Sequence, residues 1–406
     1  MYSENETQAI EREGIKTPTV GLIASDRRPE IDFLLLAARR YADGETRTRI
    51  EHLSRTDLDW PFVLTQAERH GIVSLLYFNL RRTDSAAPSS VMDTLAGMFR
   101  ARANHNLYLL GQLLTILDEF ERRKIAVIPF KGPVLAVTAF ADVSLREFSD
   151  LDLLIQEPDL ERARSALVEL GFDLAHHPDW VSPYLRFGHE LDFISRDGGF
   201  QIDLQWRFAK KWLAFPLDHS QVWSRTTLIS VGGCVVRQLC LEDSLLLLCG
   251  HAYRHCWSSL KWISDVAAFL HTFGARLDWE RLIDQARTSG GLRVLGLGLW
   301  LAHALGAAQL SNKAGRALLT DVPTVALGHQ VLANLFVDNG HIAAHGAGGM
   351  LSEFAFHWRA RERIGDRLPR PKPLFAHAEY RVKRYVRHYS RCLFGARDAL
   401  ASARLV

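Results

Sequence analysis

Asp150 and Asp152 are separated by one residue inside the run Arg146-Glu147-Phe148-Ser149-Asp150-Leu151-Asp152-Leu153-Leu154-Ile155. The apolar alternation reads as a loop entering a buried strand over Leu151–Ile155. Successive side chains on a strand point to opposite faces, with a rise of about 3.3 Å per residue. Asp150 and Asp152 therefore share one face, with backbones roughly 6–7 Å apart. Leu151, Leu153 and Ile155 share the other and point into a core. At an effective dielectric of about 20, two charges 6 Å apart repel by on the order of 3 kcal/mol. A divalent cation supplies the reason to build such a face. Mg²⁺ takes one or two carboxylates and fills its shell with water and substrate phosphates. A lone Asp-x-Asp is equally at home at a solvated strand end, so its neighbours decide the reading.

Two neighbours favour the metal. Lys131-Gly132 ends the apolar run Ile125–Phe130, and Pro133 suits the first turn of a helix over Val134–Phe140. Amide groups at such a strand-to-helix turn attract phosphate. Asp203 lies in a second strand-like run, Phe200–Phe208, sharing a face with Gln201, Gln205 and Arg207, while Ile202, Leu204 and Trp206 form the apolar side. Three aspartates on adjacent strands beside a glycine turn suit two metal ions, one at an attacking hydroxyl and one at the leaving phosphates. Glu190 and Asp192 also alternate on a strand, His189–Ile194, and compete with Asp203 for the third carboxylate position. The turn Ser195-Arg196-Asp197-Gly198-Gly199 joins those two runs as a hairpin.

These elements sit in a mixed α/β stretch between helical regions. A polar tail covers residues 1–30. Helical periodicity runs over 31–123, with a long segment from Val91 to Arg123. The α/β core spans 124–230 and includes a helix opened by Pro158 and ended by Gly171. A hairpin or linker strand is expected around Gly232-Gly233. Helices resume at Glu242 and fill 231–345, and 346–406 is basic, with thirteen Lys/Arg against four Asp/Glu from Arg359 to Arg404. Tyr380, Tyr385 and Tyr389 interleave with basic residues there. That pattern suits an RNA backbone or an anionic surface as well as an ordinary solvated helix.

The run Arg146–Ile155 and its neighbours resemble the uncharacterised nucleotidyltransferase family of the polymerase-β-like superfamily. Lys131-Gly132, Arg146, Ser149-Asp150-Leu151-Asp152 and Ile202-Asp203-Leu204-Gln205-Trp206 carry the resemblance. So do Trp60, His70-Gly71, His189-Glu190, and the set His251, His255, Trp257, Leu260-Lys261-Trp262 and Asp265, over about residues 30 to 310. The resemblance implies an α+β fold: a small mixed-sheet polymerase-β-like core flanked by N- and C-terminal helical regions. It implies an NTP bound with two Mg²⁺ ions at Asp150, Asp152 and Asp203, and transfer of a nucleoside monophosphate to a hydroxyl acceptor with release of pyrophosphate. It places Lys131, Gly132, Arg146, Ser149 and Lys261 at the nucleotide. A catalytically idle nucleotide-binding module of the same fold is the alternative. The superfamily's usual Gly-Ser pair is Lys131-Gly132 here, as in this family. Gln205 stands where histidine is frequent, and Asp203 where glutamate is.

Other readings of single residues remain. Arg146 is expected at phosphate, because its fork matches phosphate oxygens, or else at an acidic partner within the protein. His251 and His255 share a helix face at zinc-compatible spacing, but Ala252 occupies the glutamate position of H-E-x-x-H. They read instead as a hydrogen-bonded pair, or as part of a helix facing the nucleotide, with Lys261 reaching phosphate and Asp265 holding a neighbour. Composition places the chain among soluble globular proteins: 48% hydrophobic, 23% charged, net charge +3 over 406 residues. The apolar run Val294–Leu310 is broken by Gly296, Gly298 and Gly306 and reads as a buried helix rather than a membrane span. Five cysteines without a C-x-x-C pair, and no apolar leader, suit a reducing cytoplasm.

Overall fold

Strands Val127–Phe130 (β1), Asp150–Ile155 (β2), Phe172–Leu174 (β3), Glu190–Ser195 (β4) and Gln201–Gln205 (β5) form one mixed sheet in the order β1-β2-β5-β4-β3. The β2–β5 pair is parallel and the other three are antiparallel. This computed structural model describes residues 28–175, 189–208, 217, 221–306, 313–337 and 347–362. All of these belong to the compact unit Met1–Arg363, and a second unit, Ile364–Val406, lies outside the described residues. The interleaved tyrosines and most of the basic C-terminal segment fall in that second unit.

Alternation decides which face of the sheet is buried. Leu151, Leu153, Leu191, Phe193, Ile202 and Leu204 point to one side. They pack under a long helix, Ser89–Arg122 (α5), and under Leu160–Glu169 (α7). Helix α5 presents Leu109, Leu113, Ile116 and Phe120 at spacings of four, three and four, a single stripe. Each such side chain removed from water contributes roughly 1.5–3 kcal/mol. The opposite face at β1 and β2 sends Ile128, Phe130 and Leu154 into a second core, which is helical. The next two strands turn their polar residues that way.

The helical core is shared by both flanks. The N-terminal one contains Pro29–Ala37 (α1), Gly44–Ser54 (α2), Trp60–Arg69 (α3) and Val73–Arg81 (α4). Asp43 and Asp59 cap α2 and α3 by accepting from the amides of Thr46 and Phe62. Beyond the seven-residue helix Gly132–Thr138 (α6) and the sheet, the C-terminal flank contains Leu241–Arg254 (α8), Leu260–Phe273 (α9), Trp279–Thr288 (α10), Leu292–Ala304 (α11), Lys313–Leu318 (α12), Val322–Asn334 (α13) and Ala347–Ala360 (α14). Helix α11 is buried nearly all round, as its apolar run predicts. No helix among the described residues is long and apolar enough to cross a membrane. The α+β class, with helices on both sides of a small mixed sheet, is what the sequence led us to expect.

Three details differ. Strand β3 is absent from the sequence reading, because three residues directly after a helix stop carry no alternation to detect. Strand β5 ends at Gln205 rather than Phe208: Gln205 pairs with Leu154 on one side and Glu190 on the other, and no later residue has partners on both. The hairpin near Gly232-Gly233 begins earlier, as Thr227–Val231 (β6) paired with Cys234–Gln238 (β7) in a separate two-stranded sheet.

Candidate active site

Register puts the acids side by side. Asp152 of β2 pairs with Asp203 of β5, and Asp203 pairs with Asp192 of β4. Asp150 lies two residues before Asp152, and Glu190 two before Asp192, so all five carboxylates share the face away from Leu151, Leu191 and Ile202. One oxygen of each of Glu190, Asp192 and Asp203 lies within 4.8 Å of the other two. Directly paired strands are about 4.8 Å apart, so Asp152 adjoins that trio through Asp203.

Amides, an ammonium and, 3.3 Å from Glu190, the His189 imidazole meet these carboxylates. Gln201 Nε2 donates to Asp203 Oδ1 at 2.6 Å, and Gln205 Nε2 to Asp152 Oδ1 at 3.1 Å. Lys131 Nζ lies 2.8 Å from the same Asp152 oxygen and 3.3 Å from His251 Nδ1 on α8. The turn that delivers Lys131 is unusual: its φ is +56° although it is not glycine, and Gly132 follows at +35°. A Cβ at Gly132 would stand 3.6 Å from the Asp150 carbonyl oxygen, so this turn lies against the first residue of β2.

The charge balance is negative. Burial pushes the Asp152 carboxyl up to about 6; Lys131 pulls it down, and Asp150 and Glu190 push it up. Asp203 is held well above the ordinary carboxylate range, first by burial and then by Asp152, Asp192, Glu190 and Asp150. His251 is held well below its ordinary value by loss of water and by Lys131, so its ring is neutral and its Nδ1 can accept from the ammonium.

The loop before β2 is pinned from three sides. Arg146 donates from Nε and Nη2 to both oxygens of Asp265 on α9, at 2.8 Å each, and both side chains are buried. Asn106 of α5 donates to the carbonyls of Val143 and Arg146 at 2.7 and 2.8 Å. Glu147 accepts from the Ser74 amide at 3.1 Å and from Arg102 Nε at 2.8 Å. Ser149 is exposed beside Asp150. Of the two partners expected for Arg146, the structure shows the acidic one, so the guanidinium acts as a clamp on the loop. Lys261 forms no ion pair among the described residues. Its ammonium is lowered below the usual lysine range by loss of water and by Arg146, with Asp265, Asp150 and Glu147 opposing. Its stem crosses the His70-Gly71 turn: a Cβ on Gly71, whose φ is +63°, would stand 3.2 Å from Lys261 Cδ. Next to it Trp262 stacks on His255, with centroids 5.1 Å apart at 24°.

The structure thus brings Asp150, Asp152, Asp203, Lys131 and Gly132 to one place, with Lys261 and the Arg146 clamp at its border. It adds Glu190 and Asp192 as full members of the cluster, rather than as substitutes for Asp203. Their alternation was visible in the sequence; the order of the strands was not. Gln205, read in the sequence as sharing the face of Asp203 and as a departure from histidine, donates a hydrogen bond to Asp152. All-oxygen donors at this density, two of them carboxyls resisting ionisation, fit a hard divalent cation such as Mg²⁺. Zinc at His251 and His255 gains no support, since His251 is turned to Lys131.

A mixed sheet with carboxylates in register on one face defines a class of protein able to hold hard cations there. Residues 56–307, more than half of the chain, match the family described as uncharacterised nucleotidyltransferase, and the protein belongs to that family. Among solved structures, the chain is similar to the solution structure of the antibiotic-resistance factor ANT(2'')-Ia, at 14% identity over 45% of this chain and 91% of that one, with a TM-score of 0.33. No curated protein matches.

Proposed function

We propose that the protein is a Mg²⁺-dependent nucleotidyltransferase that moves a nucleoside monophosphate from an NTP to a hydroxyl acceptor and releases pyrophosphate. The observation that carries this reading is the pairing of Asp152 with Asp203 across parallel strands, Asp150 on the same face, in a chain of this family. Asp150, Asp152 and Asp203 would hold two Mg²⁺ ions, with Glu190 and Asp192 next to Asp203. When bound, Mg²⁺ supplies charge neutralisation of the triphosphate and acidifies the acceptor hydroxyl. The remaining work falls to side chains of this protein. Lys131, 2.8 Å from Asp152, and Lys261, whose ammonium senses Asp150, would take phosphate oxygens, with Ser149 and the Gly132 turn lining the same edge. Arg146, through Asp265, keeps that edge in place. Asp203, on the same face as Asp150 and Asp152, would take the proton that the acceptor hydroxyl gives up. The acceptor oxygen bonds to the α-phosphorus, the bond from that phosphorus to the bridging oxygen breaks, and pyrophosphate carries away the electron pair. Positioning and charge carry the step, and no covalent enzyme intermediate is required.

Cys234, Cys240, Cys249 and Cys256 are free thiols, which supports a reducing compartment and hence the cytoplasm. The test uses the full chain, each labelled NTP in turn, Mg²⁺ and a cell extract as acceptor source. The expected result is pyrophosphate release and a labelled product. Asp152→Asn should lower both by at least about a hundredfold while retaining the wild-type circular dichroism. Full activity in that variant overturns the assignment. NTP binding without pyrophosphate from any acceptor identifies an idle nucleotide-binding module instead.

A further inference from the structure

Lys131 stands against one of the carboxylates that would hold a metal ion. Its ammonium is 2.8 Å from Asp152 Oδ1, and its side chain is mostly buried. The same oxygen accepts from Gln205 at 3.1 Å, so both lone pairs of Oδ1 are in use. A Mg²⁺ bonded to Oδ1 at about 2.1 Å would sit no more than about 5 Å from an ammonium held at 2.8 Å. An ion on Oδ2 would still share one carboxylate with Lys131. Like charges so close, in a site with little water, repel strongly.

We propose that Lys131 is a specificity-determining residue: it acts as the internal counter-cation of Asp152, keeps free divalent cations off that carboxylate, and yields only to a cation that arrives with a nucleoside triphosphate. The triphosphate makes the exchange possible because it offers the ammonium new oxygens in place of Asp152. A second partner is already present: His251 Nδ1, 3.3 Å away, holds one of the three donors of the ammonium throughout, so Lys131 pivots rather than swings free. Phe130, with its ring centroid 5.3 Å from Nζ, borders the same position. The site therefore selects metal–triphosphate over either component alone. The inference rests on the metal reading of Asp152 given above.

The test reads cation binding rather than turnover. Free Mn²⁺ is titrated by electron paramagnetic resonance against the full-length protein, with and without an α,β-non-hydrolysable NTP analogue. Wild type should bind Mn²⁺ weakly alone and at least about tenfold more tightly with the analogue. Lys131→Met should bind Mn²⁺ alone at least about tenfold more tightly than wild type and gain less from the analogue. Lys131→Arg, which keeps the charge, should behave as wild type. Lys131→Gln serves as the neutral variant if the methionine form does not fold. Equal Mn²⁺ affinity in wild type and the neutral variant, lost in Asp152→Asn, overturns this inference and leaves the metal site intact. No Mn²⁺ binding by any of them, with or without analogue, overturns the inference and the metal site together.

Discussion

Asp203 faces Asp152 on one side and Asp192 on the other, the middle of three carboxylates in cross-strand register. Burial first, and then the carboxylates on either side, hold its pKa well above the ordinary value. The folded protein holds the Asp203 proton more tightly than the unfolded chain does, so above the ordinary value of 3.8 the native state binds more protons. Stability then falls as pH rises. Asp203→Asn removes the buried charge and keeps an acceptor for Gln201. In EDTA the variant should melt a few degrees above wild type at pH 8, with the gap closing towards pH 4. Mg²⁺ should narrow the pH 8 gap by stabilising only the wild type. A variant that melts below wild type at pH 8 in EDTA would show that the carboxylate is not strained.

The Arg146–Asp265 pair joins the loop before β2 to a helix 119 residues away. Both groups are buried and bonded twice. Removing one partner strands the other, at a cost of about 3–5 kcal/mol. Asp265→Ala should therefore lower stability by that amount in urea denaturation. Arg146→Met combined with Asp265→Leu should recover most of it, since an apolar pair of similar volume carries no uncompensated charge. Transfer should stay low in the double variant, because Ser149 and Asp150 follow the clamp directly. Wild-type turnover in the double variant would reduce the pair to a stabilising contact.

Gly71 lets Lys261 pass. A side chain there would meet both a left-handed φ of +63° and the Lys261 stem at 3.2 Å. Gly71→Ala should cost about 1 kcal/mol from the backbone alone and raise KM for NTP by displacing the ammonium. Lys261→Met should raise KM for NTP by about tenfold without loss of stability, since it removes a charge held in a site with little water. If KM is unchanged in Lys261→Met, the lysine does not reach the triphosphate.

The parts of this site that follow from local pattern were legible in the sequence. Alternation placed Asp150 and Asp152 on one strand face and Asp203 on another, and Gly132-Pro133 marked the turn beside them. What alternation cannot supply is strand order. Glu190 and Asp192 join the cluster because β4 pairs with β5 on the side away from β2, a fact of topology. Partners remote in sequence were hidden for the same reason. Nothing near Arg146 announces Asp265, nothing near Lys131 announces His251, and Gln205 shows its role only once Asp152 lies in the adjacent strand. The three-residue strand β3 is too short to leave a period.

His70 offers a prediction away from the acids. It is fully buried, and burial lowers its pKa to about 4 from 6.5. Its neutral Nδ1 accepts from the Leu260 amide at 3.3 Å, and its carbonyl accepts from the Lys261 amide at 3.2 Å. Two of the amides that open α9, which no carbonyl of that helix can reach, are thereby satisfied from the end of α3. The sign follows from the lowered pKa. Above pH 6.5 both states are neutral at this ring and its contribution is complete. As pH falls from 6.5 towards 4 the unfolded chain takes a proton that the native ring refuses, and on the order of 3 kcal/mol is lost. His70→Asn keeps an acceptor near Nδ1 and does not titrate. Its stability should therefore decline less than that of wild type between pH 6.5 and 4, when both are followed by urea denaturation at each pH. Parallel declines in the two proteins would mean that the ring takes its proton at the ordinary value and does not cap α9 in its neutral form.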